Sequence, residues 1–187
     1  MAWEETIKAN VSGKRGLFLV NVKYTMMTRA LVELLDYLLR ERRQAGALIS
    51  IDRPHTFVTR LLEKHNIPGD RLVFLDAITN ISGEPALASE MLGLLASPFC
   101  INFLNGFTSC HAAKMAASPS GFILMDNLAA LSPYMTESCI QKFVGILKSL
   151  ETECIIVLDK EMHRSLFDFL VMSGASEISV KGDAIPI

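Results

Sequence analysis

Four carboxylates stand where this sequence passes from apolar runs into polar turns. They are Asp52 in "ALISID", Asp76 in "RLVFLDAI", Asp126 in "GFILMD" and Asp159 in "CIIVLD". Carboxylates at such points can hold a divalent cation through oxygen, or draw a proton from water as general bases. They can equally cap the helix that follows, and each one taken alone favours that structural reading. A fifth run, "GLFLVNV", ends in Asn21, Val22 and Lys23, and the turn after it adds Thr25, Thr28 and Arg29. Of these, Lys23, Thr25 and Thr28 have side chains that could contact a phosphate.

Other reactive residues form no comparable set. The cysteines Cys100, Cys110, Cys139 and Cys154 make no C-x-x-C pair, and reduced, mostly buried thiols are expected. Cys110 and His111 are adjacent, hence about 100° apart on a helix, which suits neither a metal nor a nucleophile. His55, His65, His111 and His163 are scattered. The basic group Arg40, Arg42 and Arg43 reads as a solvated helix end. There is no G-x-S-x-G elbow and no G-x-G-x-x-G fingerprint, so the hydrolase and dinucleotide readings lose their main support.

The elements that must position these residues are legible in the hydrophobic pattern. Buried strands are expected at 16–22, 47–52, 71–78, 121–126 and 154–159, with "EISV" as an edge strand. After the first strand, Met27, Leu31, Leu34, Leu35, Leu38 and Leu39 recur at helical spacing, with Gly46 as the stop. A helix begins after Pro54 and is expected to bury Phe57, Leu61 and Leu62. "TESCIQKFVGILKSL" forms another, capped by Thr136, and a last helix closes at Gly174. The middle is harder to divide. A helix over 82–98, a strand "FCINFL" and a helix "SCHAAKMAAS" are expected there. Strand–helix alternation of this kind predicts an α/β three-layer sandwich, a mostly parallel sheet with helices on both faces. Residues 1–187 read as one domain, without repeat or linker.

Composition narrows the class. Of 187 residues 50% are hydrophobic, and the formal net charge is −2. Such a balance argues against a dedicated nucleic-acid binder. Mean hydropathy is +0.33, yet no apolar run approaches the roughly 18 residues that cross a bilayer. The opening "MAWEETIKANVSGKR" has early acids and no apolar signal core. A cytoplasmic protein, with no membrane partner, is expected.

The ordered series "GLFLV", "ALISIDRP", "LLEKHNI", "RLVFLDAI", "GFILMDNLAAL" and "CIIVLD" resembles the RecA/KaiC-type ATPase core over nearly the whole chain. The likeness lies in ordered strand and helix landmarks, not in a catalytic signature. It implies that "GFILMDNLAAL" is the Walker B strand, with Asp126 helping to hold magnesium and Asn127 in place of the common serine. It also implies that Asp52 is one of two paired acids, with Arg53 in place of the other.

The departures are as informative. A phosphate loop needs glycines, whose backbone N–H groups wrap the phosphates, and a Lys–Thr/Ser pair. Residues 21–29, "NVKYTMMTR", contain neither glycine nor a G-K-[ST] ending, and Met26 and Met27 are bulky. "SGKRG" at 12–16 precedes the first strand and reads only as a turn leading into it. The expectation is a non-catalytic RecA/KaiC-like domain without a cofactor, in a regulatory or assembly role. The resemblance implies a homo-oligomer or a heteromer with another RecA-like protein, joined at the strand ends and the last helix. Met26, Tyr134 and Met135 are expected to plug the vacant site or form a subunit contact. An alternative is an ATP-binding sensor or weak ATPase, in which Lys23, Thr25 and Thr28 contact nucleotide and Asp126 with Asp52 holds magnesium. A third reading is a Rossmann-like enzyme acting on another small molecule.

Overall fold

Continuous apolar runs need both faces covered, and the sheet provides this. The structure, a computed structural model, describes residues 3–11, 15–76, 121–131, 137–150 and 152–179. Helix α1 (Trp3–Asn10), for which the sequence pattern gave no element, precedes β1 (Gly16–Asn21). A 3-10 turn at Tyr24–Met26 leads into α2 (Met27–Leu35), which continues as a π-helical stretch, Asp36–Glu41. Then come β2 (Gly46–Ser50), α3 (His55–Lys64), β3 (Leu72–Asp76) and β4 (Phe122–Met125). A 3-10 turn at Leu128–Leu131 is followed by α4 (Glu137–Ser149), β5 (Glu153–Leu158), α5 (Arg164–Met172) and β6 (Ser176–Ser179).

The six strands lie in the order β3-β2-β4-β5-β1-β6, and every pairing is parallel. The expected edge strand is therefore at an edge, beside β1. Registers such as Asn21 with Leu158, Ile49 with Met125 and Ser50 with Asp76 bring the carboxyl ends into line. On one face Phe18, Val20, Leu48, Leu124 and Val157 pack against α2 and α3. On the other, Leu19, Ile49, Ile123, Met125 and Ile156 pack against α4 and α5. The alternation along each strand divides these two cores, and the three-layer sandwich follows.

Helix α2 buries the six residues that the spacing selects, from Met27 to Leu39. Burying such a side chain contributes about 1.5–3 kcal/mol, so this stripe fixes the helix on the sheet. The turn after Pro54 differs from expectation: Val58 and Leu62 are buried, Leu61 is half-buried and Phe57 is exposed. Two apolar residues one turn apart suffice for contact with the sheet, and Phe57 lies off that line. Thr136 and the segment 82–118 lie outside the described residues. Among the described residues no helix is long and apolar enough to cross a membrane.

The basic helix end is built into the structure. Arg42 pairs with the buried Glu153 at 2.8 Å, and Arg40 donates to the backbone oxygens of His65 and Asn66, each at 2.8 Å. Arg43, with φ 53°, makes the left-handed turn assigned to Gly46 by the sequence pattern. Gly46 has another role, since it opens β2 under the Phe122 ring. A Cβ there would lie 2.5 Å from the ring, closer than any real contact. Gly46→Ala should therefore destabilise the fold by about 1–3 kcal/mol, read as a lower urea midpoint with unchanged m-value. An unchanged midpoint would show that Phe122 moves aside freely.

Candidate functional site

In an open parallel sheet, ligands settle beyond the strand carboxyl ends, where neighbouring strands send their connections to opposite faces. Two such crevices follow from the topology. One lies between β2, which leads into α3, and β4, which leads into α4. The other lies between β1, which leads into α2, and β5, which leads into α5. The chain's own side chains occupy both.

In the first crevice Asp126, 1% exposed, follows β4 directly. One carboxylate oxygen accepts the Ile51 N–H at 2.7 Å and the Asp52 N–H at 3.3 Å. The other accepts from Ser50 Oγ at 3.3 Å and lies 3.5 Å from the Arg53 guanidinium. Arg53 also reaches Asp52 at 3.7 Å and donates from Nε to Thr28 Oγ1 at 3.3 Å. Its carbonyl shares the single Ser50 hydroxyl proton with Asp126. Asn127 Nδ2 donates to Asp52 at 3.4 Å. Its Oδ1 is buried without a hydrogen-bond partner among the described residues.

The second crevice is closed by reciprocal bonds. Asp159 accepts the Tyr24 N–H at 2.7 Å and the Glu161 N–H at 2.8 Å. Asn21 Oδ1 accepts the Lys160 N–H at 3.2 Å. The Tyr24 N–H, a donor that could meet a bound anion, already meets an internal carboxylate. The turn therefore needs no glycine. Lys23 is extended, with φ −57° and ψ 140°, and Tyr24–Met26 closes as an ordinary 3-10 turn.

Of the residues singled out by sequence, Asp126, Asp52 and Thr28 are brought together, with Arg53 between them. Lys23 and Thr25 are exposed on the β1–α2 turn, and among the described residues no side-chain bond draws them into that cluster. Of the expected plug, only Met26 lies among the described residues. Met26 packs half-buried against the α2 core, and Tyr24 is 46% exposed. Tyr134 and Met135 lie outside the described residues. Among the described residues Arg53 enters the space, because its guanidinium can meet two carboxylates and a hydroxyl at once. Tyr24, Asp52, Arg53, Pro54 and Phe57 line a shallow cleft of about 320 Å³ above it. Sequence reading treated Arg53 only as a replaced acid. Its position directly after a strand-end aspartate was the available signal. The pairing of Asp159 with a backbone N–H 135 residues away left none.

Burial pushes the Asp126 carboxyl up to about 6, against the lowering effect of the Ile51 N–H and the Arg53 charge. Elsewhere, burial pushes the Cys154 thiol up to about 12, in keeping with a core residue. His55 lies edge-on to Phe74 at 6.5 Å. Lys160 pairs with Glu177 at 3.1 Å and lies over the Phe167 ring at 4.6 Å.

The Asp126 shift sets a pH dependence. A folded-state pKa above the unfolded value of 3.8 means that the native state binds more protons between those limits. Stability should therefore fall as pH rises from about 4 to about 6, by up to about 3 kcal/mol, and then level off. Asp126→Asn should flatten that decline in urea midpoints measured across the range. An equal slope in the variant would assign the titration to another group.

The sequence matches no protein-family model and no curated protein. Solved structures do resemble it. The KaiC-like protein PH0186 of Pyrococcus horikoshii OT3 superposes with a TM-score of 0.53 at 12% identity, over 78% of this chain and 63% of that one. The chain thus spans less than two thirds of that protein's length. The uncharacterized protein PH0321 of Pyrococcus horikoshii, solved with an unknown peptide, gives 0.54 at 15% identity over 90% and 81%. With its parallel sheet and helices on both faces, the chain has a RecA/KaiC-like fold.

Proposed function

We propose that this chain is a non-catalytic RecA/KaiC-like domain of the cytoplasm with a regulatory or assembly role through protein–protein interaction. Its partner is a second copy or another RecA-like protein. The observation that carries the reading is the occupation of both strand-end crevices by internal charge. Arg53 stands among Asp52, Asp126 and Thr28, and Asp159 takes the Tyr24 N–H. Phosphoryl transfer depends on positioned phosphates and on a cation that neutralises developing charge. A guanidinium salted to both carboxylates competes with a metal there, and a carboxylate on the loop N–H repels a phosphate.

Broken bonds would be the cost of ligand entry. Releasing Arg53 would leave Asp126 charged and buried without its nearest cation, a loss of a few kcal/mol. A peptide is bound to one solved protein of similar fold, PH0321, which is in keeping with an interaction role. The alternative sensor or weak ATPase would use Lys23, Thr25 and Thr28 for nucleotide and Asp126 with Asp52 for magnesium. It requires Arg53 and Asp159 to let go.

Calorimetric titration with ATP and ADP, with and without magnesium, separates the two. The expected result is no binding heat and no thermal stabilisation up to millimolar nucleotide. Micromolar, magnesium-dependent binding lost in Asp126→Ala would replace this reading with the sensor. Light scattering of the same sample tests self-association: a strict monomer at high concentration would leave only the heteromeric form.

A further inference from the structure

Starting beside the strand-end cluster at Thr28, α2 and the last turn of α3 leave a groove of about 660 Å³ between them. Its floor is apolar: Val32 and Leu61 are half-buried and Ile67 is buried. Its rim carries Arg29, Arg40 and Lys64 against Glu33 and Asp36. Both acids are already engaged by their own helix, Glu33 with Arg29 at 2.6 Å and Asp36 with Arg40 at 3.0 Å. Lys64 is exposed and makes no ion pair among the described residues. The rim is thus net positive on a chain whose net charge is −2.

The groove is held open by construction. Arg40 ties the far end of α2 to the backbone oxygens of His65 and Asn66, which fixes the spacing of the two walls. Thr25 and Thr28 mark the opposite end. From Thr25 to Arg40 the α2 wall runs about 20 Å, the length of a helical segment of roughly 12–15 residues.

We propose that this groove docks an acidic amphipathic helical segment of a partner protein. Apolar side chains of the segment would lie on Val32, Leu61 and Ile67, and its carboxylates would meet Lys64 and Arg29. Helix-in-groove binding uses such an apolar strip with charges beside it. The complementarity is inexpensive, because exposed ion pairs four residues apart contribute little and Arg29 can be shared with an incoming carboxylate. A nucleic acid fits less well, since the floor offers apolar contact and the rim lacks a continuous basic track. The inference rests on the protein-interaction reading above, and names the chemistry of the partner.

The test uses the full chain and a fluorescein-labelled 14-residue peptide (design length) with leucine at helical spacing and glutamate elsewhere. A sister peptide carries lysine for glutamate. Anisotropy should show saturable binding of the acidic peptide, weakened by salt, and much weaker binding of the basic one. Arg29→Glu with Lys64→Glu should weaken binding about tenfold or more. Leu61→Ser should weaken it with less change in salt dependence, and Arg164→Glu on α5 should leave it unchanged. Circular dichroism confirms that each variant is folded.

No saturable binding, equal binding of the basic peptide, or indifference to the charge reversals would overturn the proposal. So would phosphatidylserine vesicles or a single-stranded oligonucleotide binding more tightly through the same residues, or self-association that the same variants abolish. Nucleotide binding is titrated separately on these samples. Magnesium-dependent ATP binding would remove the non-catalytic reading, whereas peptide failure without nucleotide binding would remove the groove alone.

Discussion

A buried carboxylate bound to backbone N–H groups is the constraint on which the strand-end face depends. Asp126 sits at the end of β4 with almost no contact with water, and its partners belong to the β2–α3 turn. Desolvation opposes its charge, while two N–H groups, a hydroxyl and a guanidinium support it. The balance ties two non-consecutive segments of the chain into one rigid corner. Asp159 does the same between β5 and the turn after β1. An unpaired N–H or carboxylate at either place would be costly, so the two corners specify the loop conformations that a glycine-rich sequence would otherwise leave free.

The architecture was readable because its cause is local and periodic. Five apolar runs bounded by turns, with "EISV" as a sixth, correspond to the six strands, displaced at most by a few residues at their ends. The α2 stripe was readable for the same reason, since residues at helical spacing must share a face. Phe57 misled because hydrophobicity alone does not state which side of a short helix faces the sheet. Gly46 misled because the glycine answers to Phe122, 76 positions away, and not to the helix end beside it.

The candidate site was legible in part. Aspartates at strand ends drew attention to Asp52 and Asp126, and the topology brings them within reach of each other. Arg53 was visible in sequence only as a missing acid. Its role depends on the side chain turning back across the crevice to Thr28, a path that no spacing rule encodes. Lys23 and Thr25 share the polar character of Thr28, but the turn presents them to solvent. Residue type selected all three, and geometry separates them.

The π-helical stretch at the end of α2 carries a consequence for the opposite rim of the sheet. A turn of this kind holds one more residue than an α-turn, so everything after it is rotated by about 100° relative to a regular helix. In this chain the rotation delivers Arg42 to Glu153, at the first residue of β5, while Leu38 and Leu39 stay buried. A helix of regular pitch would carry residue 42 to another side of its axis and lose the 2.8 Å Arg42–Glu153 contact. The irregular turn and the buried acid at the amino end of the sheet are therefore coupled through one ion pair of 2.8 Å, which links the pitch of the helix to the start of β5.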